Sequence, residues 1–288
     1  MNSVKTASDT EQCPNCGRPI EFYHTEVMGK VFEGRIECVC VTERKEKERA
    51  EHIQKGRKII RHAKRKCAGL STRAMNQRFE NFTPDNGQQE AYNACVTFAE
   101  QYAAGKNDGT GLLLIGGVGC GKTHLATAVI NKAIDLLEIP DNDAEHAATG
   151  LDSGYGYSGI DFIGTIALLD QLRSAYDGKK NPDQIMGIYQ KAKLLVLDDL
   201  GAEKPTEWAL DRLFSLIDYR YNECLPTIIT TNADIKELGN RPGGRICDRI
   251  RSMCATYAIS TKSHRITARL QASADKQKSA RLSSSALP

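Results

Sequence analysis

Two groups of residues in this chain have the types and spacing that could do chemistry. The first is G-G-V-G-C-G-K-T over residues 116–123, which fits the pattern G-x-x-x-x-G-K-[ST]. Glycines let consecutive backbone N–H groups curl around phosphate oxygens, and the dipole of a following helix adds to the attraction. In such a loop Lys122 reaches the β- and γ-phosphates and the Thr123 hydroxyl sits on Mg²⁺. Gly116, Gly117, Val118, Gly119, Cys120, Gly121 and His124 complete the predicted nucleotide-binding stretch.

A phosphate loop needs an acidic partner at the end of a neighbouring strand, and K-L-L-V-L-D-D-L-G over residues 193–201 supplies one. Asp198 is the candidate Mg²⁺ ligand, and Asp199 the candidate for polarising the attacking water. Adjacent carboxylates directly after a buried apolar strand would be costly without a cation nearby. Together with the loop they imply nucleotide hydrolysis rather than binding alone. T-T-N at 230–232 ends another apolar stretch, and Asn232 has two readings. It could orient the water or touch the γ-phosphate, or it could cap the helix that D-I-K-E would begin.

The second group is a set of thiols. Cys13-x-x-Cys16 and Cys38-x-Cys40 lie among polar residues, unlike the other six cysteines, which are scattered. Four thiolates in two pairs are a sound ligand set for a closed, tetrahedral, structural Zn²⁺ site. His24 is the alternative ligand, because the C-x-C spacing is the less usual one. A segment this small has no apolar core, so a metal cross-link would supply its stability.

The elements that must position these groups follow from hydrophobic patterning. Gly111–Gly116 reads as a buried parallel strand, and His124–Leu137 as a helix. Further strands are expected at about 160–166, Leu194–Leu197, Thr227–Thr230 and about 256–259. Helices are expected at 88–104, 167–177, Thr206–Tyr221 and about 245–254, with one more before Leu194. Residues 140–159 show no periodicity and read as a surface loop or insertion. Helices alternating with apolar strands give an α/β fold, a mainly parallel sheet covered on both faces.

Four segments result: a zinc-binding domain over 1–42, a charged helical linker over 43–74, an ATPase domain over 75–270, and a disordered tail over 271–288. The linker holds eleven Lys or Arg against four Glu between Glu43 and Lys66, which suits either a solvated helix or phosphate contact. The overall charge of +3 in 288 residues says little by itself. Ten cysteines beside a nucleotide motif and a polar N-terminus favour metal ligation over disulfides. No apolar run of about 18 residues is present, and a cytoplasmic protein without membrane contact is expected.

The order of these motifs resembles a known family. R-F-E-N-F-T precedes the phosphate loop; L-L-V-L-D-D-L-G, W-A-L-D-R-L-F-S-L-I-D-Y-R-Y and P-T-I-I-T-T-N follow it. This resembles the DnaC/DnaI-like helicase loaders and the related IstB-like ATPases, a branch of the AAA+ superfamily, over roughly residues 75–268. The resemblance implies a three-layer P-loop ATPase with ATP and Mg²⁺. It makes Asn232 the first sensor, Arg249 a trans-acting arginine with Arg245 and Arg251 as alternatives, and Arg265 the second sensor. It also implies ATP-dependent homo-oligomeric, helical or ring-like assembly. Single-stranded DNA would meet the region 167–192, in or near which lie Arg173, Tyr176, Lys179, Lys180 and Lys193. The small zinc module is similar to the helicase-binding domain of DnaI-like loaders. The implied function is therefore loading of a DnaB-type helicase, in a phage or mobile-element setting, with a transposition ATPase acting on duplex DNA as the alternative.

Overall fold

A computed structural model describes residues 11–150, 156–176, 178, 181–202, 206–232 and 244–260. The chain divides into two compact units, one formed by Met1–Ile60 with Ile139–Ser153, the other by Arg61–Glu138 with Gly154–Pro288.

The first unit holds the antiparallel hairpin β1 (Phe22–Val27) and β2 (Lys30–Arg35), followed by most of the long helix α1 (Val39–Cys67). Residues 140–159, expected as a surface loop or insertion, contain a helix, Asp141–Ala148. Its buried side is made only of Ala144, Ala147 and Ala148. Alanine carries little apolar contrast, so the pattern is invisible in a hydrophobicity search. Close approach replaces bulk here: a Cβ on Gly56 of α1 would lie 1.7 Å from the Ala144 carbonyl oxygen. Arg57 pairs with Asp141 at 2.6 Å and Arg49 with Glu145 at 2.5 Å.

The second unit begins inside the segment expected as linker. Arg65, near the end of α1, is 6% exposed and donates to Asn131 Oδ1 at 2.9 Å and to Asp135. A cation bonded this way is a structural part of the unit, and the compact division falls between Ile60 and Arg61.

Five strands form one parallel sheet: β3 (Gly111–Gly116), β4 (Ile160–Gly164), β5 (Leu194–Leu200), β6 (Thr227–Thr231) and β7 (Cys254–Ile259), in the order β4-β5-β6-β3-β7. Residues alternate between two cores. Leu112, Leu114, Leu194, Val196 and Ile228 pack on one side, with α3 (Gln89–Ala103) and α4 (Lys122–Leu136). Leu113, Leu195, Leu197 and Ile229 pack on the other. That second layer is completed by helices at Thr165–Tyr176, Pro182–Lys191, Glu207–Asn222 and Gly244–Met253; with Asp141–Ala148 as α5, these are α6 to α9. Burial of both faces explains why the strands read as continuous apolar runs. The result is a three-layer α/β fold of AAA+ type carrying an N-terminal cysteine-rich module.

Candidate functional site

Three neighbouring strands deliver the candidate chemistry at their carboxyl ends, where ligands bind in open parallel sheets. β3 leads into the glycine loop, β5 carries the two aspartates near its end, and β6, between them in the sheet, ends at Thr231 with Asn232 next. A cleft of about 760 Å³ opens there. Its lining includes Val118, Gly119, Gly121, Lys122, Thr123, His124, Asp198, Asp199 and Asn232.

The loop turns into α4 through Gly121, whose φ of 100° is left-handed and favours glycine. A Cβ there would also stand 2.7 Å from the ring of Phe82. Lys122, 6% exposed, donates from Nζ to the carbonyls of Gly116 at 2.8 Å and Gly117 at 2.9 Å, and to Asn232 Oδ1 at 2.6 Å. Thr123 Oγ1 donates to Asp198 Oδ1 at 2.9 Å. Cys120 is buried below the loop, and its carbonyl accepts from Gln88 Nε2 at 2.8 Å.

In a regular strand Asp198 and Asp199 would face opposite sides of the sheet. The register of β5 against β6 shifts between Leu197 and Leu200, and Asp199 has φ of 59°. This bulge lets both carboxylates line the same cleft. Thr230 closes it: its hydroxyl donates to Asp198 Oδ1 at 2.6 Å and accepts from the Asp199 backbone N–H at 2.8 Å. Asn232 Nδ2 in turn donates to Asp199 Oδ1 at 2.6 Å. A chain of side-chain contacts thus runs from Lys122 through Asn232 to Asp199. Burial pushes the Asp198 carboxyl above its ordinary range, against the hydrogen bonds from Thr230 and Thr123. A cation at Thr123 and Asp198 would offset that penalty.

Other expected residues lie elsewhere. Arg249, on α9, donates to Asp218 Oδ1 at 2.9 Å and stacks 4.5 Å from the Tyr221 ring centre. It is not among the described residues lining the cleft. Arg245 and Arg251 are exposed on the same helix. Arg265, Lys179, Lys180, the tail from 271 and the side chain of His24 lie outside the described residues.

Sequence reasoning missed several groups that the fold brings in. Thr230 was legible only as part of a polar strand tip, and Gln88 carries no motif. Phe82, from the aromatic stretch before the domain, stacks on Tyr92 and meets the His124 ring at 5.0 Å. Burial lowers the His124 pKa, while its Nε2 lies 2.9 Å from the Arg78 carbonyl oxygen.

In the first unit the four expected thiols meet. The sulfurs of Cys13, Cys16, Cys38 and Cys40 all lie within 4.8 Å of one another, with Cys13–Cys40 and Cys16–Cys38 at 3.5 Å. Tetrahedral Zn–S bonds of about 2.3 Å would set sulfurs roughly 3.8 Å apart, so the cluster fits a zinc ion. Backbone N–H groups of Asn15 and Cys16 hold the Cys13 thiol down at about 6, while contacts with the neighbouring thiols raise the Cys40 pKa.

Comparison with known proteins agrees with this geometry. Residues 74–140 match the family model of the bacterial DnaA ATPase domain. The replicative helicase loader DnaC of Escherichia coli (strain K12) is 22% identical over 193 residues, 64% of this chain and 66% of that protein. The phage-like element PBSX protein XkdC of Bacillus subtilis (strain 168) is 25% identical over 240 residues, 78% of this chain and 74% of that one. The crystal structure of the DnaC helicase loader superimposes with a TM-score of 0.51 at 26% identity, covering 66% of this chain and all of that one. The second unit is a DnaC/DnaI-like AAA+ ATPase domain. This DnaC/DnaI-like unit has the fold of an ATP-hydrolysing enzyme, related to ATPases that act in replication. Nothing in the comparisons singles out an IstB branch. The chain spans only 59% to 66% of the length of some curated relatives it matches. No helix among the described residues is long and apolar enough to cross a membrane.

Proposed function

We propose that this protein is an ATP-dependent helicase loader, which binds a DnaB-type hexamer and single-stranded DNA and uses ATP hydrolysis to control deposition and release. The observation that carries the reading is the joining of Lys122, Asn232 and Asp199 across three strand ends of a DnaC-like fold. In the cleft the residues from Gly116 to His124 cradle the triphosphate, and Lys122 neutralises its β- and γ-oxygens. Thr123 and Asp198 would hold a magnesium ion, which would supply charge neutralisation to the phosphates. Asp199 polarises the attacking water, and Asn232 fixes Asp199 and senses the γ-phosphate. Asp218 and Tyr221 hold Arg249 outside its own cleft, as a group acting on a neighbouring subunit requires. Arg265 is assigned as the second sensor on the motif alone. ATP-dependent homo-oligomeric or helical assembly follows from the trans-acting arginine. The similarity to XkdC supports a phage or mobile-element origin, and the protein is proposed to work in the cytoplasm.

Single-stranded DNA is assigned to the surface shared by α6 and α8. Arg173 lies 4.9 Å from the Trp208 ring centre, and Tyr176 meets that ring edge-on at 6.3 Å. Tyr176 is 56% exposed. Cations interleaved with aromatic faces suit backbone contact plus base stacking. Trp208→Ala is expected to weaken single-stranded DNA binding about tenfold, since stacking contributes roughly 1–3 kcal/mol per base. DNA-free ATP turnover should stay unchanged. Fluorescence anisotropy with a labelled oligonucleotide checks the first point, and a phosphate-release assay the second.

The cysteine module is assigned to helicase docking, with zinc as its structural ion. Its hairpin presents Tyr23, Phe32 and the fully exposed Met28 to solvent. Co-migration of the full chain with its cognate replicative hexamer, with ATP, with ADP and without nucleotide, tests the assignment. A stable complex, lost in the Met28→Asp, Phe32→Asp double variant, is expected. Absence of any complex with folded, zinc-loaded protein would overturn the loader reading. Point substitutions are preferred to deleting residues 1–68, which would remove Arg65 and leave the buried Asn131 Oδ1 without its donor.

A further inference from the structure

One short segment lining the nucleotide cleft is held with unusual care. Helix α2 (Thr72–Met75) is a single turn, too short to be stable alone. Ser71 caps it, its Oγ accepting from the Ala74 backbone N–H at 3.2 Å. Asn131, fully buried on α4, donates from Nδ2 to the carbonyls of Ala74 at 2.9 Å and Gln77 at 2.8 Å. Thr127, also fully buried, donates to Gln77 Oε1 at 2.9 Å. One turn beyond Asn131 along α4, Asp135 binds both Arg65 and Arg78. Burying an amide, a hydroxyl and half a carboxylate to hold one turn is unfavourable unless every group is bonded. Here they are, and what the turn presents to the cleft is Arg73.

Arg73 is exposed, and among the described residues it makes no ion pair or hydrogen bond. It lines the same cleft as Thr123, His124 and Asp198, and its charge helps to lower the His124 pKa. Lys122 and Arg73 are the two permanent cations among the described lining residues. The Lys122 ammonium already faces three oxygen acceptors. A nucleoside triphosphate is a polyanion, and a guanidinium on a fixed turn can bind two of its oxygens at once. We propose that Arg73 is a second cation of the same subunit for the phosphate chain, contacting the bound nucleotide directly from the α2 turn. The proposal rests on the reading of this cleft as the ATP site.

The test is equilibrium binding of ATP and of adenosine, each competing with a fluorescent ATP analogue, to the parent, Arg73→Ala, Arg73→Lys and Lys122→Ala proteins. Arg73→Ala should bind ATP about tenfold more weakly, as loss of a charge-assisted contact implies. Its adenosine affinity and its melting temperature without nucleotide should match the parent, and Arg73→Lys should recover part of the loss. ATP affinity within twofold of the parent would overturn the proposal. So would an equal loss for ATP and adenosine, which would place the effect on the base or the fold. A fall in single-stranded DNA binding with ATP binding intact would assign the cation to DNA instead, and also overturn it. Lys122→Ala separates the two layers. If that variant binds ATP like the parent, the cleft is not the nucleotide site; if it alone loses ATP, only the Arg73 assignment fails.

Discussion

Replacing Lys122 by alanine is expected to lower ATP turnover by about 10²- to 10³-fold, the scale seen when one preorganised charge-stabilising donor is removed. Two effects combine. The ammonium is bonded to the loop carbonyls of Gly116 and Gly117, so its loss removes a fixed cation from the developing phosphate charge. It is also the group against which Asn232 rests, and Asn232 in turn holds Asp199. The variant should therefore lose orientation of the water-polarising carboxylate as well as charge. A steady-state phosphate-release assay measures the outcome, and far-ultraviolet circular dichroism checks that the sheet persists. Turnover within tenfold of the parent would mean that hydrolysis takes place without this cleft.

Arg220→Met should be the most damaging substitution for stability, although position 220 touches neither nucleotide nor thiol cluster. The guanidinium is fully buried on α8 and donates to Thr227 Oγ1 at 2.8 Å. It also donates to the carbonyls of Tyr189 at 2.9 Å, Gln190 at 3.2 Å, Ala192 at 2.7 Å and Pro226 at 2.7 Å. Three of those carbonyls belong to the end of α7, where a helix has no internal donors left. Burial draws the Arg220 pKa down to about 10, which still leaves it charged at neutral pH. Methionine fills much of the volume but leaves these acceptors unpaired. The expected cost is about 3–5 kcal/mol, as for one partner removed from a buried charged network. For a domain of this size that lowers the melting temperature by on the order of 10 °C. Lysine should rescue little, because a compact ammonium cannot reproduce the fork that spans α7 and β6. A loss below about 1 kcal/mol would show that water satisfies those carbonyls instead.

Three of the strands were legible because each is a short run of branched or long apolar side chains ending in Gly, Asp or Asn. Gly111–Gly116, Leu194–Leu197 and Thr227–Thr230 were all expected within a few residues of where they occur. The layered α/β fold follows from their alternation with helices. α5 was missed for a definite reason: it buries alanines beneath a glycine-mediated approach, and neither residue stands out in a hydrophobic period. The end of α1 was read as linker because Arg65 is indistinguishable, in sequence, from ten other cations around it. Only its partners Asn131 and Asp135, far along the chain, make it structural.

The sequence by itself determined the phosphate loop, the paired aspartates and the four-thiol set, because these depend on residue type at fixed short spacing. Spacing is local information, and a loop that must turn around phosphate admits few residues. The tertiary structure decided how the pieces cooperate. It set β6 between β3 and β5, so that Asn232 bridges Lys122 and Asp199. It bent β5 at Asp199 so that two neighbouring carboxylates share one cleft. It also assembled Arg173, Tyr176 and Trp208, and set Arg73 in the lining of the same cleft as the loop. Such pairings depend on strand order, bulges and packing between distant segments, which no window along the chain contains.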